Sequence, residues 1–360
     1  MDPITAISLA SNLCDSVIKL RNGIEVVSFS EVAKSQLQQL LQVPEREINV
    51  LAQQRILKSI AHQGMKSMNE RYDMICEAHA KTFEWARRLA RALFVKWLSS
   101  GEGVFHIAAK LGAGKSTMMK FMCSNEHVRA LLETWARSCN RKLVFAKHFF
   151  YQTGASHQKS LAGMCRTLIH EVLESCPGLM PLVLPTYWAQ VRSSPWQVGK
   201  KIHISDRAVL QAFNCIVEIS RTSNEFRFCF FIDGLDELED TIEFSHRDLV
   251  NLLNEWHRRS SGHIKISVSS REHNVFMNGF SSSQRICLHA LTRRDLESFI
   301  HDKLMAIRDP IERNWIVGLI LEKAHGVFFW VALAVHNTRR YLDDDRHPSI
   351  RDQRPFHLHS

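Results

Sequence analysis

The stretch Ala109-Lys110-Leu111-Gly112-Ala113-Gly114-Lys115-Ser116-Thr117 constrains the fold more than any other part of the 360-residue chain. It follows the pattern G-x-x-x-x-G-K-[ST], with Ala109 in the first glycine position. The apolar run Gly103-Val104-Phe105-His106-Ile107-Ala108 before it reads as a buried strand, and Met118-Met119-Lys120-Phe121-Met122 after it reads as a helix. Strand, glycine-rich turn and helix together make a phosphate cradle. Gly112 and Gly114 let the backbone amides turn inward with no Cβ in the way, and the helix N-terminus adds partial positive charge. In such a loop the backbone of residues 109–117 wraps the phosphates and Lys115 reaches the β/γ-phosphates. The Ser116 hydroxyl ligates Mg²⁺.

A second landmark fits the first. Phe228-Cys229-Phe230-Phe231-Ile232 is a continuous apolar run, as a parallel strand buried on both faces requires. It ends in Asp233-Gly234-Leu235-Asp236-Glu237. Asp233 at the strand's carboxyl end fits the Walker B acid that holds Mg²⁺ through water, and in an open α/β sheet ligands lie at that end. Asp236 and Glu237 on the next turn are candidate catalytic acids that orient or activate the attacking water. A third strand, Ile264 to Ser269, leads to Ser270-Arg271, and Arg271 is a candidate sensor of the γ-phosphate.

The remaining elements follow from periodicity. Residues 1–30 form an amphipathic helix that needs a partner face, and Pro44 breaks or starts a helix. A helical lead-in spans residues 55–100, closed by the turn Ser99-Ser100-Gly101-Glu102-Gly103. Helices are predicted at Glu126–Arg137, from Leu161 to a stop at Cys176-Pro177-Gly178, at Ala208–Ile219 and around Asp295–Leu304. Another covers Ile316–Tyr341, interrupted at Gly326. Strands are predicted at Lys142–Phe150 and Arg285–Leu288, and His148 reads as a packed core histidine rather than a ligand. Residues 179–206, with prolines and no sustained period, read as a surface connection. The charged tail from Asp343 reads as disordered.

Composition narrows the class. The net charge is +9, but the Lys and Arg residues are scattered and no RNA-type aromatic motif accompanies them, which argues against nucleic acid as a partner. Nine cysteines with no C-x-x-C pair suit reduced thiols and a cytoplasmic location. The longest apolar stretch, Gly326 to Val335, is too short to span a bilayer.

The two landmarks together resemble a NACHT-type P-loop NTPase. Further segments are similar to the fungal, nephrocystin-like subgroup: Ala78 to Trp85, His148-Phe149-Phe150, Gln158 to Leu161, Val268 to Arg271, Ala290-Leu291-Thr292 and Lys323 to Trp330. The opening Met1 to Ala6 resembles the start of those proteins, and the similarity runs over about residues 55–342. The resemblance implies a three-layer αβα core with a parallel sheet of order 5-1-4-3-2, a helical N-terminal extension and a short C-terminal helical piece. The expected division is 1–54, 55–100, 101–290 for the NTPase domain, 291–342 and 343–360. It further implies a STAND switch that binds ATP or GTP with Mg²⁺ and hydrolyses it slowly. The alternative is a non-hydrolysing scaffold acting through helical protein–protein contacts. Leu111 and Ala113 replace the Pro and Ser usual in that subgroup's loop. The winged helix and repeats of its longer members are missing, which implies a truncated relative. An apolar face at Phe328, Phe329, Trp330 and Leu333 would then lack its cover and favour self-association.

Overall fold

The computed structural model describes residues 45–61, 71–75, 91–194, 202–291 and 293–343. The expected N-terminal helix within 1–30, the segment Ala78 to Trp85 and the tail beyond Asp343 lie outside them.

In chain order the helices and strands begin with α1 (Glu45–Ile60), which starts directly after Pro44. A π-helical turn, Arg91–Val95, runs into α2 (Lys96–Ser99). Then come β1 (Val104–Ala109), α3 (Lys115–Ser124), α4 (Glu126–Arg137), β2 (Lys142–Phe149) and α5 (Leu161–Ser175). They are followed by α6 (Met180–Val183), α7 (Pro185–Arg192), α8 (Asp206–Thr222), β3 (Phe226–Asp233) and α9 (His246–Arg259). The chain continues with β4 (Ile264–Arg271), α10 (Asn274–Gly279), β5 (Arg285–Cys287), α11 (Leu288–Leu291), α12 (Arg293–Lys303), α13 (Pro310–Ala324) and α14 (Phe328–Asp343).

All five strands are parallel and hydrogen-bonded in the order β5-β1-β4-β3-β2. This is a three-layer αβα core with the strand order expected from the sequence. β1 is buried along its whole length, and β3 and β4 at every position but one; β1 and β3 carry largely apolar runs, whereas β4 alternates apolar residues with buried Lys265, Ser267 and Ser269. On one face Met118, Met119 and Met122 of α3 and Leu132 of α4 pack against Phe105, Ile107, Cys229 and Phe231. On the other, α9 packs against β4 and β1 and carries α10 beside it, and the His106 ring lies 5.2 Å from that of Phe280.

The chain divides into two compact units. Residues 1–66 with 165–216 make one, and residues 67–164 with 217–360 make the other. In the first, α1 and α7 are tied by Arg192 to Glu45 at 2.6 Å and by Arg55 to the Ser194 carbonyl at 3.1 Å. Residues 179–206 therefore depart from the expected surface connection. They hold α6 and α7, and Leu179, Met180, Val183, Leu184 and Val191 are buried. The prolines that suggested a loop open these helices instead: Pro181 and Pro185 sit in first turns, where a missing N–H costs nothing and a fixed φ helps.

In the second unit the C-terminal helices form their own core. Leu296, Ile300, Val317, Ile320, Val331 and Val335 are buried together, and Phe328 packs on Phe299 with ring centroids 4.9 Å apart. The apolar face of α14 is thus covered at Phe328, Val331 and Val335. Phe329 at 64% and Leu333 at 48% remain largely exposed, while α12 and α13 cover the rest of this face. The interruption falls at Gly326, whose φ of +81° is left-handed, and a Cβ there would come within 2.4 Å of the His289 carbonyl oxygen. No helix among the described residues is long and apolar enough to cross a membrane. The described cysteines are all free thiols.

Candidate functional site

The glycine loop leaves β1 at its carboxyl end and enters α3 through two left-handed residues, Gly112 at φ +72° and Gly114 at φ +88°. Neither conformation suits a residue with a Cβ, so the loop is built on these two glycines. Ala113 is buried, whereas the Leu111 side chain is exposed. The loop is also held from outside: the Phe329 amide, in the first turn of α14, donates to the Gly112 carbonyl at 3.0 Å. The first amides of a helix have no partner within it, so this one is free to bind the loop. A Cβ on Gly112 would meet that of Phe329 at 3.0 Å, which leaves no room for a larger residue.

β3 delivers Asp233 to the same end of the sheet. Its carboxyl group is 1% exposed and accepts the Ser269 hydroxyl of β4 at 2.5 Å. Burial holds this carboxyl above the usual carboxylate range, against the hydroxyls of Ser116 and Ser269 and the charges of Lys115 and Arg71, which pull it down. Ser116 of the loop and Asp233 of the acidic strand end therefore meet. A hydroxyl and a carboxylate are the hard oxygen donors that Mg²⁺ takes, and its remaining ligands are commonly substrate phosphates and water.

The two following acids are placed differently. Gly234, left-handed at φ +73°, turns the chain into a short 3₁₀ segment, Leu235–Glu237. Asp236 is turned inward to β4: its Oδ1 accepts the Arg271 amide at 2.9 Å, and its side chain is 2% exposed. The Arg271 Nε lies 2.9 Å from Asp236 Oδ2, but its N–H is not aimed at that oxygen, so the pair is a charge contact. Arg271, read from sequence as a phosphate sensor, is engaged with Asp236 here. Glu237 keeps a freer position, with Oε2 accepting the Gln152 amide at 3.1 Å. Burial raises its pKa, the Gln152 amide lowers it, and neighbouring Asp233 raises it again.

Two features escaped sequence reasoning. A polar chain joins β5, β1 and β4: Arg285 Nε donates to His106 Nδ1 at 3.0 Å, His106 Nε2 lies 2.8 Å from the Ser270 hydroxyl, and that hydroxyl donates to the Arg271 carbonyl at 2.9 Å. The second is Arg71, whose charge reaches both Asp233 and Glu237. No local pattern marks either, because the partners are distant in sequence.

The chain is similar, at low identity, to several solved structures. The Cdc6p protein of Pyrobaculum aerophilum is 13% identical, with 66% of this chain and 53% of that one covered at a TM-score of 0.35. The ORC2 protein of Aeropyrum pernix, solved as ADPNP–ADP complexes, is 15% identical, with 75% and 66% covered at 0.40. Drosophila ORC bound to DNA is 11% identical, with 72% and 63% covered at 0.31. The chain thus spans between half and two-thirds of the length of these proteins. No curated protein matches it significantly in sequence. The family model described as "Nephrocystin 3, N-terminal" matches residues 81–271, more than half of the chain and inclusive of both the glycine loop and the acidic strand end. The chain belongs to the nephrocystin 3 N-terminal family.

Proposed function

We propose that this chain binds ATP or GTP with Mg²⁺ and hydrolyses it slowly, as a cytoplasmic, nucleotide-dependent switch of the NACHT and STAND type. The observation that carries this reading is the meeting of Ser116 and buried Asp233 beneath a left-handed glycine loop. A carboxylate that is 1% exposed is costly unless a cation joins it. In this reading the amides of residues 109–117 and the Lys115 ammonium would hold the phosphates, and Ser116 and Asp233 would hold Mg²⁺, which would supply charge neutralisation. Glu237 faces the water, and Asp236 with Arg271 sets the loop that carries it. Titration of the chain with a fluorescent ATP analogue, with and without Mg²⁺, tests the reading. Binding that is absent, or equal in the Lys115→Ala variant, overturns it.

One observation favours the alternative of a non-hydrolysing scaffold. Asp236 is held by Arg271, which leaves Glu237 as the one acid of the pair not engaged by that arginine. Phosphate release under single-turnover conditions separates the two. Protein contacts through helical faces belong to both readings. Ile311, Trp315 and Leu319, at helical spacing on α13, are exposed at 71%, 52% and 38%. Light scattering with and without nucleotide measures whether copies associate.

A further inference from the structure

We propose that Arg71 is a phosphate-contacting residue of the nucleotide site, carried there by the segment before the glycine-loop domain, where its guanidinium meets the terminal phosphate of a bound nucleoside triphosphate. The inference rests on the nucleotide-binding reading above and names a group which that reading does not contain.

The backbone around Arg71 is anchored on the carboxyl end of the sheet. The next residue, Tyr72, sets its ring edge-on against Phe149, the last residue of β2, at 5.1 Å. Lys147 Nζ of β2 lies 4.0 Å from the centre of the Tyr72 ring, and Lys120 Nζ of α3 lies 5.1 Å from it. Lys120 Nζ also donates to the Ile75 carbonyl at 2.9 Å. The Ile75 side chain is 5% exposed and belongs to the core cluster shared by β1, α3 and β3. The helical turn at 71–74 is thus pinned by the Phe149 and Lys147 side chains of β2, by Lys120 of α3, and by the following Ile75 side chain buried in the core.

That anchoring places the Arg71 guanidinium 4.7 Å over the ring of Tyr151, two residues beyond the end of β2. The next residue, Gln152, is the one whose amide holds Glu237. The positive charge of Arg71 reaches both Asp233 and Glu237. None of the described residues gives the guanidinium a hydrogen-bond acceptor, and its Nε is buried without one. The nearby carboxylates bond to other groups, Asp233 to Ser116 and Ser269, and Glu237 Oε2 to the Gln152 amide. Asp236 is taken by Arg271.

A guanidinium has five N–H donors in a planar fork and cannot shed its charge. Leaving it without an acceptor beside two acids that bond elsewhere makes sense if a third anion completes it. A terminal phosphate matches the fork in charge and in geometry. Arg271, the arginine that sequence pattern suggests for this task, is held by Asp236, which leaves Arg71 for it.

The test compares Arg71→Ala and Arg71→Gln with the parent chain, using fluorescent ATP and ADP analogues with Mg²⁺, alongside thermal unfolding of each protein. The glutamine variant keeps the proposal testable should alanine fail to fold. ATP affinity is expected to fall about ten-fold or more, the scale of one charge-assisted hydrogen bond, while ADP affinity changes by less than about two-fold. Arg71→Lys should recover part of the loss, because an ammonium keeps the charge without the fork. Equal losses for ATP and ADP would mean that Arg71 only supports the fold, and unchanged ATP affinity would mean that it does not touch the phosphate. Either result overturns the proposal while leaving nucleotide binding in place. A parent that binds neither analogue overturns the nucleotide reading and this proposal with it.

Discussion

Lys115, Asp233 and Glu237 should fail in three distinguishable ways when each loses its charge. Lys115→Ala should remove detectable nucleotide binding, because loop amides alone do not neutralise a triphosphate. Asp233→Asn should weaken binding only when Mg²⁺ is present, since its carboxyl is the one paired with Ser116. Glu237→Gln should keep nucleotide bound and slow turnover by about a hundred-fold, the usual scale of a lost general base. Titrations in Mg²⁺ and in EDTA, with phosphate release, check all three. Normal Mg-ATP binding by Asp233→Asn, with loss in Glu237→Gln, would reverse the roles. These residues were legible because their chemistry is local: glycines, a lysine and an acid within a few positions of a strand end. Asp236 and Arg271 were individually visible, but their pairing was not. Contact across 35 positions follows from strands β3 and β4 lying side by side, which neither residue's neighbours announce. Arg71 was invisible for the same reason, since its placement depends on where Tyr72 and Ile75 dock.

At the scale of elements, β1 and β3 were readable because burial on both faces demands apolar runs, β4 because apolar residues alternate along it, and α4 because its apolar spacing repeats cleanly. α6 and α7 were misread since proline was taken as a breaker rather than an opener. α9 went unnoticed although its signature is present. Ser245 accepts the Asp248 amide at 3.3 Å while the Asp248 carboxylate accepts the Ser245 amide at 2.9 Å, a reciprocal cap written as Ser-x-x-Asp. Ser245→Ala should therefore cost about 1 kcal/mol, read as a lower urea midpoint. The junction of α14 with the glycine loop gives a second element-scale expectation. Phe329→Pro removes the amide that bonds Gly112 but sits in the first turn, where proline is tolerated. Helix content should be unchanged by circular dichroism, and nucleotide affinity should fall about five-fold, the worth of one hydrogen bond that pre-shapes the loop. Unchanged affinity would show that the loop keeps its form without α14.

The whole molecule carries a formal charge of +9, and three buried bases make its stability depend on pH. Burial pushes His106 down to about 3, helped by the charge of Arg285. Burial also pushes His148 down to about 3, with His157 acting in the same direction, and neither ring nitrogen of His148 has a hydrogen-bond partner. Lys265, whose ammonium donates to the carbonyls of Trp97 and Leu98 and lies 4.3 Å from the centre of the Trp135 ring, is pushed down by burial to about 7. In each case the folded state holds fewer protons than the unfolded chain between the two pKa values, so stability rises with pH across that window. For the histidines the window runs from about 3 to their ordinary value near 6.5, and for the lysine from about 7 to 10.5. Each group contributes a slope of up to ~1.4 kcal/mol per pH unit. Asp233 and Glu237 act in the opposite sense over part of the acid range, because burial makes the fold retain their protons. Substitution isolates a single group better than the shape of the whole curve does. His148→Leu exchanges an unpartnered ring for an apolar side chain of similar reach, so it should leave stability at pH 7 equal or higher. It should also flatten the decline between pH 6.5 and 4.5 by roughly one histidine's slope. Lys265→Met should lose the rise from pH 7 to 9, and should cost about 1–3 kcal/mol at pH 9 by leaving two buried carbonyls without a donor. Urea unfolding at pH 4.5, 6.5, 7 and 9 for the parent and both variants decides it. A His148→Leu curve parallel to the parent below pH 6.5 would mean that His148 finds a proton partner in solution, and its place as a neutral core residue would fall.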